Sequence, residues 1–220
     1  MVKPDAVLRP RLRAATLHEL AAQPGLEIVS AALCALDVRV CARIYPEVTK
    51  ASFYPWVLSY MSVCPAILLL VVCSPESLGR LHRWLGTAPV EKSLPGTLRQ
   101  RFGVCFGISC AHVANDPPLA AAELRTWAEI AQFSRGRSAR AQLTALTRCD
   151  VSSPDRTPTL RAICRDIGRT GGVETRQETQ IREVLELECC CAPGDVLDAF
   201  TSVIASGALW TGLLDSRPGR

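Results

Sequence analysis

His112 is one of three histidines in the 220 residues, and its setting suits chemistry. It closes a short apolar run that starts at Gly103 and precedes an Asn-Asp-Pro-Pro turn and an Ala-rich helix start. A neutral imidazole is a good nucleophile near pH 7, because its basicity matches that pH. Taken singly, each candidate also has a plain reading. His112 is then a turn or half-buried structural residue, Glu123 a solvated helix residue, Lys3 and Arg99 surface charges, and Tyr45 and Phe53 core or rim. The eleven cysteines are an odd number and several lie in apolar runs (Cys34, Cys64, Cys73, Cys105). With no signal peptide before them they read as reduced thiols that pack as small apolar side chains. Cys189, Cys190 and Cys191 invite a metal reading. Three adjacent residues do not easily converge on one tetrahedral ion, however, and no Cys-x-x-Cys pair or spaced histidine accompanies them, so no metal site is assigned.

The elements that must carry these residues can be read from pattern. Val2 is the tail of a strand ahead of Lys3-Pro4-Asp5. Arg9 to Ala22 reads as a helix stopped by Pro24-Gly25, Leu26 to Leu36 as a strand, and Asp37 to Ile44 and Ser52 to Met61 as helices. The most apolar stretch, Val57 to Cys73, is divided by Pro65 and interrupted by Ser59, Tyr60 and Ser62. It is too broken for a membrane span of ~20 residues, and its second half, Ala66 to Cys73, reads as a buried strand. Ser74 caps a helix with Pro75 at its first position, and the helix runs from there to Leu85 and stops at Gly86. A loop follows from Thr87 to Arg101, then a short strand from Gly103 to Gly107, then a helix from Pro117 to about Ile130. The order predicts a ferredoxin-like α+β sandwich, an antiparallel sheet with helices on one face. A boundary falls near Phe133 to Ser138. Loop signals at residues 152–158 and 170–172 separate helical candidates at Thr159 to Ile167, Glu178 to Glu188 and Gly194 to Leu214. The division expected is a domain at 1–133 and a mostly helical extension at 134–220.

Hydrophobic residues make up 48% and charged residues 21%, which excludes a disordered chain. The net charge is only +4. The arginines at positions 9, 11, 13, 135, 137 and 140 read as solvated faces and a linker. Aromatics do not alternate with them, which argues against a nucleic-acid stripe.

Three stretches, in order, resemble the nucleoside diphosphate kinase family. They are Val2-Lys3-Pro4-Asp5-Ala6-Val7, then Tyr45 with Ser52-Phe53-Tyr54 and Tyr60-Met61, then Pro95-Gly96-Thr97-Leu98-Arg99 with His112 and Glu123. The likeness covers about residues 1 to 130. It implies transfer of the terminal phosphate of a nucleoside triphosphate to a diphosphate through a phosphohistidine. It further implies His112 as nucleophile and Glu123 on its other ring nitrogen. Arg99 and Thr87 are then on phosphate oxygens, Lys3 lies near the transferred group with Tyr45 beside it, Phe53 stacks on the base and Ser109 faces the sugar. Mg²⁺ bound through the nucleotide phosphates, a homo-oligomer and a cytoplasmic location are implied as well.

The sequence departs from the family at several points. Met1 and Val2 can supply only the end of a first strand, so an upstream start or another segment must fill it. Ser109 replaces the asparagine three before the histidine, and Val113-Ala114 replaces Gly-Ser after it. His82, flanked by Arg80 and Arg83, stands where the third helix carries a phosphate-binding arginine. These departures resemble divergent members associated with cilia and flagella, some of them weak kinases. The alternative they imply is a kinase-like scaffold, catalytically weak or inactive. The stretch from Gly194 to Trp210 is amphipathic and is expected to pack on the domain in cis, or else on another subunit.

Overall fold

The computed structural model describes residues 1–131, 133, 138–148, 154–189 and 191–215. The linker run 134–137 (with Arg135 and Arg137), residues 152 and 153 of the loop signal, and Cys190 lie outside the described residues. Strand β1 (Leu26–Cys34) pairs antiparallel with β2 (Ala66–Cys73), in a register that runs from Leu26 opposite Cys73 to Cys34 opposite Ala66. Val2 adds a single antiparallel bridge to Ile67 on one side and to Ala111 on the other. The order across the sheet is therefore β1, β2, Val2, Ala111, which is the strand order of a ferredoxin-like α+β sheet with its last two positions reduced to one residue each. The first half of β2 is apolar and buried on both faces, whereas its end is half-buried with Val72 exposed. Ala66 and Leu68 point into one core with Trp56, Tyr60 and Phe106. Ile67 points into the other with Val2, Leu12, Leu98 and Cys110.

Helix starts follow their caps. Asp37 accepts from Val40 N (2.9 Å) to open α3 (Val38–Ile44). Helix α4 is Tyr54–Met61. Ser74 accepts from Ser77 N (3.2 Å) to open α5 (Pro75–Leu85), which ends at Gly86 with φ 85°. The short helix α6 (Leu98–Phe102) opens on Thr97, whose hydroxyl accepts from Gln100 N (3.3 Å). Asp116 accepts from Leu119 N (2.8 Å) to open α7 (Pro117–Ile130).

Several expectations need correction. The helix expected over Arg9 to Ala22 is α2 (Pro10–Ala21), but a further short helix, α1 (Pro4–Leu8), precedes it, and Arg9 between them is extended. Pro10 has no N–H to donate and disfavours helical geometry at Arg9. Residues 103–107 form no strand. Val104 N bonds Ile108 O (2.9 Å) and Ile108 N bonds Cys105 O (2.9 Å), which closes a turn with Phe106 at φ 45°. Arg9 is no solvated residue: it is fully buried.

An unforeseen helix, α8 (Ala139–Thr147), lies against β1. The Oε1 of its Gln142 accepts from Ala31 N (2.7 Å) and the Ser30 hydroxyl (3.2 Å), which satisfies strand-edge donors. Helices α9 (Thr157–Thr170), α10 (Thr175–Glu188) and α11 (Gly194–Asp215) pack together and dock α11 on α4. The segment from Gly194 therefore packs in cis. Trp56 Nε1 donates to Val203 O (2.9 Å), and Arg9 makes a buried ion pair with Glu188 (2.9 Å). No helix among the described residues is long and apolar enough to cross a membrane.

Candidate active site

A cleft of about 1060 Å³ opens between α3, α4, the end of α5 and the loop before His112. Lys3, Tyr45, Phe53, Thr87, Arg99 and His112 all line it, so residues scattered over the first half of the chain converge there. Glu123 and Ser109 stand behind that lining and hold it.

His112 follows two non-glycine residues with positive φ, Phe106 (45°) and Cys110 (69°). Such backbone is costly and needs firm anchors. Cys110 has them: its N–H donates to Asp5 Oδ2 (3.0 Å) and its carbonyl accepts from Lys3 N (2.8 Å). Phe106 N donates to Glu91 Oε1 (3.0 Å). Asp5 is fully buried and also accepts a short hydrogen bond from the Tyr60 hydroxyl. Lys-Pro-Asp thus does two jobs: Lys3 reaches the cleft, while Asp5 fixes the loop that presents the histidine. The second job was not read from the sequence, although buried partners for a strained loop are the kind of role a carboxylate beside proline can fill.

His112 Nε2 lies 2.9 Å from Glu123 Oε1, and the side chains are 17% and 13% exposed. With the carboxylate accepting, Nε2 carries the proton and Nδ1 keeps its lone pair. Burial lowers the His112 pKa, and the Glu123 hydrogen bond opposes that by raising it. The net result favours the neutral ring. Tyr45 packs edge-on to the imidazole (5.2 Å between centroids, 73°). Its buried hydroxyl has no hydrogen-bond partner among the described residues, and burial, then Glu123, raises its pKa.

Lys3 Nζ donates to Ser109 Oγ (3.1 Å) and Gly107 O (3.3 Å). Burial, then the Arg99 charge, lowers its pKa to about 8. Arg99 donates to Gly86 O (2.9 Å), Ala111 O (2.8 Å) and Ser109 O (3.4 Å). Three of its five N–H groups are therefore spent on holding the loop. Thr87 is at the exposed rim, with its hydroxyl donating to Lys92 O (2.9 Å). On α5, Arg83 and His82 line the cleft, whereas Arg80 pairs with Glu76 (2.5 Å). Helix phase thus makes Arg83 the arginine of the Arg80/Arg83 pair that reaches the cleft. His82 Nε2 is 3.0 Å from Ala114 O. Phe53 stands at the opposite end, edge-on to Phe106 (5.2 Å) and to Trp210 of α11 (5.9 Å). Among the described residues no three His, Cys, Asp or Glu side chains gather as a metal site.

A sequence model of the family described as nucleoside diphosphate kinase matches residues 1–133. A nucleoside diphosphate kinase from Chloroflexus aurantiacus is 29% identical over 117 residues, 53% of this chain and 76% of that protein. One from Ignicoccus hospitalis is 27% identical over 124 residues, 56% of this chain and 82% of its own length. Among solved structures, a nucleoside diphosphate kinase family protein from Babesia bovis superposes with a TM-score of 0.52 at 25% identity, covering 61% of this chain and 91% of that one. The halophilic enzyme from Halobacterium salinarum, solved with CDP, shares the fold with a TM-score of 0.52 at 21% identity, covering 64% and 93%.

Proposed function

The chain belongs to the nucleoside diphosphate kinase family, and on that premise we propose that its cleft moves the terminal phosphate of a nucleoside triphosphate to a nucleoside diphosphate through a phosphohistidine at His112. Residues 1–133 are the catalytic domain in this reading and 134–220 an added helical module. The observation that carries it is the His112–Glu123 contact at 2.9 Å on the wall of a cleft shared with Lys3 and Arg99.

In the first half-reaction the Nδ1 lone pair attacks the terminal phosphorus. An N–P bond forms, the bond to the bridging oxygen breaks, and the nucleoside diphosphate leaves with that electron pair. The Nε2 proton stays on the ring, held by Glu123, which also stabilises the charge that the ring gains. In the second half-reaction a terminal oxygen of the acceptor diphosphate attacks the same phosphorus and the N–P bond breaks. Positioning and positive charge do most of the work in such a transfer. Lys3 and the two remaining N–H donors of Arg99 supply charge, joined by Thr87 and Arg83 at the rim. Tyr45 restrains the imidazole, Phe53 stacks on the base, and Ser109 acts through Lys3 rather than by reaching the sugar. A Mg²⁺ ion, held by the nucleotide phosphates, would offset their charge. The steady-state test is ATP plus CDP giving ADP plus CTP with parallel-line (ping-pong) kinetics, lost in His112→Ala.

One observation favours a second reading. Arg99 and His82 are already engaged by backbone carbonyls, so the phosphate end has less free charge than its residue types suggest. A chain that binds nucleotide, with or without weak turnover, would then serve as a scaffold, in the cilium- or flagellum-associated manner of the divergent members it resembles. Nucleotide-induced thermal stabilisation without CTP formation supports that alternative.

A further inference from the structure

The helical extension reaches the base end of the cleft. We infer that Trp210, on α11, is a positioning residue for Phe53 and thereby sets how tightly the cleft holds a nucleoside. The inference deepens the nucleotide reading of the cleft and rests on it.

Phe53 is half-buried, sits at the start of α4 with no side-chain cap bond there, and has only an aromatic ring with which to hold its place. Two rings flank it. Phe106 lies 5.2 Å away at 84° and Trp210 lies 5.9 Å away at 68°, both within the range of edge-to-face attraction. Remove Trp210 and Phe53 keeps one aromatic neighbour, Phe106, among the described residues.

The helix that brings Trp210 is anchored independently of that contact. Trp56 Nε1 donates to Val203 O (2.9 Å). Gly207 lets the backbone pass close to the Trp56 ring, since a Cβ there would stand 2.9 Å from it. Thr211 Oγ1 donates to Glu91 Oε1 (3.2 Å), the same oxygen that accepts from Phe106 N. The extension therefore supports both Phe53 and the ring on its far side. At the other end of the cleft, Arg161 of α9 donates to the carbonyls of Gln100 (2.6 Å), Gly103 (2.7 Å) and Arg99 (3.2 Å). The bundle thus clasps α6 as well, but there it touches the backbone behind the phosphate end. Trp210, by contrast, packs directly on a ring that a base would meet.

The test is calorimetric binding of ADP and of pyrophosphate to the full chain and to two variants. Trp210→Leu keeps apolar bulk against the domain, and Trp210→Phe keeps a ring. The expected result is ADP binding weakened roughly 3–10-fold in the Leu variant, the size of one aromatic contact, with pyrophosphate binding unchanged and ADP binding restored in the Phe variant. Unchanged ADP binding in Trp210→Leu, or equal weakening of both ligands, overturns the inference and leaves the nucleotide reading standing. A native chain that binds no ADP overturns both.

Discussion

In the proposed reading, the phosphate end and the base end of the cleft are built on opposite terms. At the proposed phosphate end, His112 follows a strained loop that Lys3, ahead of α1, and Arg99, on α6, brace by donating to carbonyls of residues 86 to 111, while Glu123 holds the imidazole. The side chains named there lie within the part that matches the family, with Arg161 of the extension bracing α6 from behind. The base end is aromatic, makes few hydrogen bonds, and borrows Trp210 from the far end of the chain. Chemistry that demands ångström placement is held by local, directional bonds. Affinity for a flat ring tolerates looser, non-directional packing, so it can be supplied by an addition outside the core fold.

That contrast can be broken first at the joint between the two parts. Burial pulls the Arg9 pKa down, but Glu188 beside it more than compensates, so the guanidinium stays charged inside the protein. Arg9→Ala leaves Glu188 buried without this partner and is expected to cost about 3–5 kcal/mol in chemical denaturation. A loss under 1 kcal/mol would mean that the extension is only loosely attached. Within the proposed phosphate end, Glu123→Gln keeps an acceptor for Nε2–H but removes the negative charge that stabilises the phosphorylated ring. It should slow phosphoryl transfer about 10–100-fold, by analogy with other carboxylate–histidine pairs, with nucleotide affinity nearly unchanged. Near the base end, Gly207→Ala drives a methyl group into Trp56 and should lower stability by about 1–3 kcal/mol. The smallest effect is the pH response of Lys3. Its pKa of about 8 means that it is charged below pH 8 and neutral above. Pyrophosphate binding should therefore weaken several-fold as pH rises through 8, and Lys3→Arg should abolish that step.

How far each end could be read from residues follows from the same difference. Pro95-Gly96-Thr97-Leu98-Arg99 is legible because its reasons are local: Gly96 takes φ 83°, Thr97 caps α6, and Leu98 is fully buried. Ser74-Pro75 announces α5 for the same reason. Arg9 looked like one of a row of surface arginines, because its partners Asp155, Thr157 and Glu188 come from the other end of the chain. The run 103–107 has the composition of a strand, yet Val104 and Ile108 bond to each other's turn instead of to a neighbour. Helix α8 is short, and only Leu143 and Leu146 give it an apolar face; the contact that fixes it, Gln142 on Ala31 N, is polar and comes from far along the chain. Trp210 carried no hint of its role at all, since an aromatic on an amphipathic helix reads the same whatever ring it meets.

The most direct measurement is a pulse with γ-labelled ATP and Mg²⁺, followed by acid treatment and then by a chase with unlabelled CDP. The account predicts a phosphoryl group on the protein that is lost in acid, is absent from His112→Ala, and passes to CDP during the chase. A native chain that binds ATP yet acquires no acid-labile phosphate, or acquires it equally when His112 is replaced, would contradict it.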